Sequence, residues 1–547
     1  MPSCKTVSSC LLASVFLAGT LSAADWPQWG GSPQRNNAPD AKNIPHQWNV
    51  GKFDRKTGDW LNESAENILF VARLGSQSYG TPVLSGGKVY CATNNGAGYL
   101  ERYPAEVDLG CLLCFAQSDG RFLWQLSREK LASGEEADRD FDWPLQGICS
   151  VPLVEGDRLW IVTNRGEVAC VDTEGFADDE NDGPYRSETS TAAGEADVVW
   201  YFDMMARLGI RQHNMCSCSV TAAGDLLLVN TGNAVDASEE KVPAPQAPSF
   251  IALDKHTGEL LWADNSPGEN ILHGQWSSPA FAVLGGVPQA IFPGADGWIY
   301  SFLAEKTEDG KPKLLWKFDC NPKRSVWEGG GMGERSNIIA TPVVHDGLVY
   351  IATGQDPEHG EGQGHLWCID PTRRGDVSPE LVLDQDGKPV PPRRTEAIDE
   401  SAGEVLQANP NSAAVWHYTG HDANEDGRFD FEETMHRTIG MVAVKDGLLV
   451  IADMSGLVHC LDAKTGRLHW TYDTLAAVWG SPLVVDGKIF IGDEDGEMCV
   501  FELSPEQNLL AENYMGASIY SSAVAVDNVL YVATRTHLIA IAAKKDR

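Results

Sequence analysis

The residues predict an all-β fold: an eight-bladed β-propeller of four-stranded blades, closed by an N-terminal strand that completes the last blade. Three observations carry this. A unit of four short strands recurs eight times, two residue columns stay in step through all the copies, and the strand missing from the final copy lies near the start of the chain.

The unit is barest between 439 and 503. From Val442 an apolar strand runs into the turn Asp446-Gly447, a second strand covers 448–452, and Met454-Ser455-Gly456 turns into a third over 457–462. Lys464-Thr465-Gly466 then leads to a strand closing on Trp470. The next copy begins at Pro482, forty residues after Val442, with Asp486-Gly487 and Asp495-Gly496 at its first two turns. Four strands in about 40 to 45 residues is the period of a propeller blade. Asp-Gly suits the first turn because both central positions of that tight turn need positive φ.

Along the chain the first-turn dipeptides are Gly86-Gly87, Gly156-Asp157, Gly224-Asp225, Gly285-Gly286, Asp346-Gly347, Asp446-Gly447, Asp486-Gly487 and Asp527-Asn528. The third strand carries one small residue in every copy: Cys114, Cys170, Ala252, Ser301, Cys368, Cys460, Cys499 and Ala540. Closing strands carry Trp124, Trp200, Trp262, Trp316, Trp416 and Trp470, whose indoles are expected to pack between blades with each N–H on an acceptor. The last copy, 523–542, has three strands and stops before a closing Trp. Ile68-Leu69-Phe70-Val71-Ala72-Arg73 is a strand without a blade, and Phe70 precedes Thr81 by eleven residues as Trp470 precedes Ser481. The N-terminal strand is therefore expected to complete the eighth blade and leave no open sheet edge.

Residues 1–24 read as a secretion signal, with Lys5, an apolar stretch over 10–21 and small residues at Ser22-Ala23-Ala24. Thr20 stands where a lipoprotein box would place its acylated Cys, so an exported, soluble periplasmic or extracellular protein is expected. No later apolar run reaches the ~18 residues of a membrane span. Residues 25–66, opening Trp26-Pro27-Gln28-Trp29-Gly30-Gly31, are expected to lie across one face, and 67–547 form the propeller. With 42 Lys plus Arg against 77 Asp plus Glu, the net charge is −35, which excludes phosphate backbones and anionic membrane surfaces as partners. Two of the 13 cysteines leave with the signal, and five of the rest occupy the small third-strand column as packing residues. Cys111-Leu112-Leu113-Cys114 has no second pair and no following His, so neither zinc nor haem is read there. Pairing of Cys149 with Cys216 is left open.

Blade geometry puts the second-to-third-strand loops and the links between blades on one face. Insertions at 99–110, 233–248 and 355–364 and long links at 125–146, 201–214, 263–276, 317–337 and 417–437 gather there, so function is expected on that face. The opposite face is expected to carry only the acidic loop 174–197 and the Pro- and Arg-rich segment 371–410. Asp422-Ala423-Asn424-Glu425-Asp426-Gly427-Arg428-Phe429-Asp430-Phe431-Glu432-Glu433 fits the EF-hand calcium loop D-x-[DN]-x-[DN]-G-x5-E. Asp422, Asn424, Asp426, the Arg428 carbonyl, Asp430 and Glu433 would supply the oxygens and Gly427 the sharp turn. A calcium ion there would order the link between the fifth and sixth blades. His359, Glu361 and His365 are a candidate polar pocket, and no Ser-His-Asp pattern is present.

The repeats Ala252-Leu253-Asp254-Lys255-His256-Thr257-Gly258-Glu259-Leu260-Leu261-Trp262 and Leu461-Asp462-Ala463-Lys464-Thr465-Gly466-Arg467-Leu468-His469-Trp470 resemble those of exported bacterial PQQ-like β-propellers. That family includes the quinoprotein alcohol dehydrogenases and the outer-membrane assembly propeller BamB. The resemblance implies the fold and says little about activity. Thr231-Gly232-Asn233 matches the family stretch whose Asn holds the Ca2+ of bound PQQ. His273-Gly274-Gln275-Trp276 stands where the family carries His-Asp-x-Trp, whose Asp is the proposed base. Asn233, His273 and Trp276 are thus the implied cofactor-binding residues. Gly274 cannot take a proton, so no catalytic residue is assigned. Adjacent cysteines are also lacking, Cys216-Ser217-Cys218 being the nearest approach. The expected function is a scaffold of the cell envelope that binds a small molecule or an envelope protein, with a PQQ-dependent dehydrogenase as the alternative.

Overall fold

The structure, a computed structural model, describes residues 25–131, 141–329, 333–355, 359 and 362–543. The signal at 1–24 and Glu361 lie outside the described residues. Eight four-stranded antiparallel sheets each run from an inner to an outer strand, and the fourth gains a fifth strand at its outer edge. Their inner strands are Val83–Ser85, Leu153–Glu155, Thr221–Ala223, Ala280–Leu284, Val343–His345, Ala443–Lys445, Leu483–Val485 and Val524–Val526. All eight first turns fall on the expected dipeptides. The outer strand of blade 8 is Ile68–Arg73, antiparallel to His537–Ile541, with Phe70 opposite Ala540.

The register shows what the small column does. Cys114, Cys170, Ala252, Ser301, Cys368 and Cys460 lie directly opposite Trp124, Trp200, Trp262, Trp316, Trp416 and Trp470, with a bulge immediately after each pair. A small residue makes room for the indole, and the bulge increases the local twist. The tryptophan then reaches the next blade. Nε1 of Trp124, Trp200, Trp416 and Trp470 donates to Thr173, His256, Ala463 and Ser504 carbonyls at 3.0, 3.1, 3.1 and 3.0 Å. Each acceptor sits in the third turn of the following blade. Trp316 instead donates to Gln289 Oε1 at 2.8 Å.

Near the axis, splayed inner strands cannot pair with one another, so hydroxyl side chains join them. The backbone N–H groups of Val151, Ser219, Met441, Ser481 and Ser522 donate to Oγ of Ser219, Ser278, Ser481 and Ser522 and to Oγ1 of Thr81, at 2.8 to 3.1 Å. The last of these links blade 8 to blade 1.

The N-terminal extension does more than lie across a face. Residues 26–42 touch the inner strands of blades 1 to 7 and the first turn of blade 8 in order. Trp26 bridges Leu84, Pro27 accepts from Val154, and Gln28 Oε1 accepts from Thr221 Oγ1 at 3.0 Å. Pro33 then accepts from Phe281, Gln34 from Val344, Asn36 Oδ1 from Val444, Asn37 from Val484, and Lys42 donates to Asp527. Arg35 is fully buried in this stopper and donates to the Pro279, Trp29, Ser219 and Val220 carbonyls. The segment stops the channel on the side of the short first turns.

The two insertions expected on that same side do not stay there. Residues near 195 and 375 run parallel to the outer strands of the preceding blades, Gln125 opposite Glu195 and Trp316 opposite Gly375. They cover outer edges that would otherwise be unpaired. The arm 371–410 carries on to the loop-rich face, where Arg394 meets the Glu239, Glu240, Ile271 and Leu272 carbonyls. All eleven cysteines of 25–543 are free thiols, so Cys149 and Cys216 are not joined. Among the described residues no helix is long and apolar enough to cross a membrane.

Candidate functional site

With the channel stopped from below, the starts of the inner strands enclose a cavity of about 320 Å³ that faces the loop-rich side. Five aromatic side chains, Tyr79, Trp143, Trp276, Trp479 and Tyr520, line it, with Trp29 of the stopper. They come from the segment before blade 1 and from four inter-blade links, so the rim draws on most of the ring. Tyr79, Trp479 and Tyr520 pack as a cluster with ring centroids 5.0 to 5.9 Å apart. Glu494 anchors two of them, accepting from Trp479 Nε1 at 3.2 Å and from Tyr520 Oη at 3.4 Å. Burial pushes the Tyr79 phenol and the Cys149 thiol each up to about 12, so both line the cavity uncharged. No Asp, Glu, Lys or Arg is among the described lining residues. Aromatic faces and neutral hydroxyl and amide groups suit an uncharged, ring-bearing ligand.

Behind Trp276 lies a second polar group that the sequence did not reveal. Glu239 Oε1 stands 3.5 Å from His273 Nε2 and 3.9 Å from His213 Nε2, and its Oε2 is 2.9 Å from His359 Nε2. All three imidazoles are buried. Hydrogen bonding from His273 and His359 outweighs burial and holds the Glu239 carboxyl down at about 2. Trp276 separates the cluster from the cavity, its ring centroid 4.9 Å from that of His273 and its Nε1 donating to the His213 and Met215 carbonyls. His213 comes from a link, Glu239 from an insertion and His359 from a third loop, so no local spacing could have joined them to His273.

The other expected site residues are dispersed. Asn233 is fully buried, with Oδ1 accepting from Arg211 N at 3.0 Å and Nδ2 donating to Ala244 O at 2.9 Å, so both ends of its amide are engaged by loop backbone. A Cβ at Gly274 would lie 2.2 Å from the Trp276 ring, so an Asp could not occupy that position as the link stands. His273 faces Glu239, and of the three implied residues only Trp276 lines the cavity. PQQ is a polycarboxylate, and with no Lys or Arg among the described lining residues nothing described there compensates its charges. These residues do not fit a PQQ and calcium site.

His359 and His365 part ways, the first to Glu239 and the second to His417, whose Nε2 is 3.1 Å from His365 Nδ1. The loop 422–433 has the backbone of a tight turn, with Gly427 at φ +85. Asp422 Oδ2 accepts from Gly427 N at 2.8 Å, Asn424 Oδ1 from Asp426 N at 2.9 Å, Asp426 Oδ1 from Arg428 N at 2.9 Å, and Glu433 from Ala423 N and Asp430 N at 3.1 Å. Strand Ala414–Tyr418 precedes it and its own last residues form the 3-10 turn Phe431–Glu433, where an EF-hand has two helices. Among the described residues, the set of three His, Cys, Asp or Glu ligand atoms within 4.8 Å of one another is His213, Glu239 and His273, not the carboxylates of this loop.

Fold and site define an eight-bladed propeller stopped at one end of its channel and open to an aromatic cavity at the other. Its likeness is to PQQ-like propellers: residues 401–545 match a family model described as outer membrane protein assembly factor BamB. The chain is 27% identical over 228 residues to BamB of Xanthomonas campestris pv. campestris, covering 40% of this chain and 47% of that one. It is 24% identical over 212 residues to a 1-butanol dehydrogenase (cytochrome c) of Thauera butanivorans, covering 37% and 22%. These matches take in less than half the length of either relative. The crystal structure of BamB from Moraxella catarrhalis aligns with a TM-score of 0.49 at 13% identity, covering 86% of this chain and 98% of that one.

Proposed function

We propose that this protein is an exported binding scaffold of the cell envelope, which takes an uncharged, ring-bearing small molecule or an aromatic segment of an envelope protein into its central cavity. One observation carries the reading: a cavity of about 320 Å³ with five aromatic residues around it and no charged side chain among the described lining residues. Stacking and release of water from those rings would supply the affinity, and Gln146, Asn214 and the hydroxyls of Ser217 and Ser219 would orient the ligand. The likeness to an outer membrane protein assembly factor agrees with an envelope role. In the same reading the 422–433 loop takes one Ca2+ through Asp422, Asn424, Asp426, the Arg428 carbonyl, Asp430 and Glu433, ordering the link between blades 5 and 6.

The deciding experiment titrates the mature chain with a panel of neutral sugars and aromatic peptides while tryptophan emission is followed. In parallel, PQQ and Ca2+ are added and dye reduction is measured over alcohols and sugars. Saturable quenching that Trp276→Ala or Trp479→Ala removes supports the scaffold. Quinone-dependent turnover would replace it with a dehydrogenase. For calcium, a melting temperature in excess Ca2+ that is the same in Asp422→Ala as in the parent removes the ion from the reading.

A further inference from the structure

We infer that His213, His273 and Glu239 form a binding site for a divalent first-row transition metal of the zinc type, with His359 holding the second oxygen of Glu239. The site is distinct from both the 422–433 loop and the central cavity, and it does not rest on what the cavity binds.

Among the described residues the donor set is two imidazoles and one carboxylate, a combination that zinc takes. Metal to nitrogen distances of about 2.0 to 2.1 Å in a tetrahedron put ligand atoms about 3.3 Å apart. Glu239 Oε1 stands 3.5 and 3.9 Å from the two Nε2 atoms, within a few tenths of an ångström of that spacing. His213, His273 and Glu239 each offer one ligand atom, and these lie within 4.8 Å of one another, so binding draws the two imidazoles together as well. Softness decides the metal class, since imidazole nitrogen favours zinc, copper, iron or nickel over the oxygen-seeking calcium and magnesium.

The surroundings are those of a held ligand shell. Ligating carboxylates are commonly fixed by a hydrogen bond to their other oxygen, and His359 Nε2 is 2.9 Å from Glu239 Oε2. Arg394, from the arm of blade 5, fastens the loops that carry two of the ligands: it donates to the Glu239 carbonyl at 2.9 Å and to Ile271 and Leu272 at 2.8 and 3.3 Å. Those last two residues directly precede His273. The indole of Trp276, against His273, forms the wall towards the cavity. A metal here would tie a link of blade 2, an insertion of blade 3 and a link of blade 3 together and fix that wall.

The test uses the full mature chain, stripped by a chelator and titrated with Zn2+ alone by calorimetry, with metal content measured after dialysis. One Zn2+ per chain is expected. H273A and E239Q should weaken binding by more than about 100-fold, while R394A, a positioning change, should weaken it by about 10- to 100-fold. Circular dichroism and the urea midpoint of each variant confirm that the ring is intact. Should H273A fail to fold, H213Q replaces it. Co2+ in place of Zn2+ gives a readout independent of stability, an intense visible absorption for four-coordination that E239Q abolishes. No uptake at tens of micromolar Zn2+, or stoichiometric binding that survives H273A and E239Q, overturns the site. Binding lost in D422A but kept in H273A moves the ion to the surface loop and overturns it equally.

Discussion

Replacing Arg35 tests whether the stopper is part of the fold or a strap laid upon it. Its guanidinium donates four hydrogen bonds, of 3.0, 3.1, 2.7 and 3.0 Å, to the carbonyls of Pro279, Trp29, Ser219 and Val220, joining the stopper to blades 3 and 4. Burial lowers its pKa to about 10, so it remains a cation near neutral pH and these carbonyls are its solvent. Arg35→Ala leaves buried carbonyls unpaired at about 1 to 3 kcal/mol each. The lower figure applies because the cavity above admits water, and the relieved cost of burying a charge offsets part of the sum. A net loss of about 3 to 4 kcal/mol follows. Arg35→Lys keeps the charge but a single ammonium cannot span carbonyls on three segments, so it should recover less than half. With a urea slope above about 3 kcal/mol/M for a chain of this size, the midpoint falls by about 1 M. Limited proteolysis gives the local readout: residues 25–42 become cleavable in Arg35→Ala while 67–543 stays resistant. A midpoint within about 0.2 M of the parent, with the N-terminus still protected, would refute the reasoning.

Three further outcomes are expected. Cys460→Leu forces extra volume against Trp470 and should cost about 1 to 3 kcal/mol, while Cys460→Ala should stay within about 1; equal urea midpoints for the two would deny the pairing its role. Gly274→Asp should not restore a base. It should displace Trp276, shift tryptophan emission and lower the midpoint by about 2 kcal/mol or more, and an unmoved Trp276 in a crystal structure of the variant would contradict this. Burial, with His417 and Arg437 nearby and opposed by Asp319, holds His365 at about 3, and burial holds His417 at about 4. Both lie below the ordinary 6.5, so their stabilising contribution is whole above about pH 6.5 and is lost as the pH falls towards 4, at about 1.4 kcal/mol per unit for each. Urea midpoints at pH 7 and 4.5 should therefore converge in a His365→Gln, His417→Gln double variant relative to the parent, and an unaltered pH slope would count against it.

The ring was readable because each local signal is repeated. Asp446-Gly447 alone is a turn; eight such dipeptides in step with eight small third-strand residues fix blade number, strand order and the closing role of Phe70. The stopper was only half readable. Trp26 to Lys42 contains no periodic pattern, since its contacts are set by the spacing of eight inner strands around an axis, and polar residues such as Arg35, Asn36 and Asn37 looked like those of an exposed connection. The course of the arm 371–410 is hidden for a related reason: its loop begins on the stopped face, as the blade pattern implies, but its parallel contact beside Trp316 turns it around the rim. A resemblance singles out His273, yet its neighbours Glu239 and His213 lie in separate loops, and only the closed ring brings them within reach.

That contrast bears on where activity can reside. Seven inter-blade junctions and a closing strand make the scaffold nearly equivalent sector by sector, so whatever distinguishes this chain must sit where the equivalence is broken. On the stopped side the break is the extension itself, which occupies the axis and leaves the cavity with one entrance. On the open side the rim aromatics are distributed around the ring, as a stacking surface needs to be if it is to enclose a ligand. The His213, Glu239 and His273 cluster is confined to the sector of blades 2 to 4, as a point ligand needs to be. Trp276 belongs to both, three residues after His273 and facing the cavity with its other side. A ligand entering from the loop-rich face would therefore meet a wall whose stiffness depends on what holds the imidazoles behind it, and occupancy of the cluster should change affinity in the cavity without contact between the two occupants.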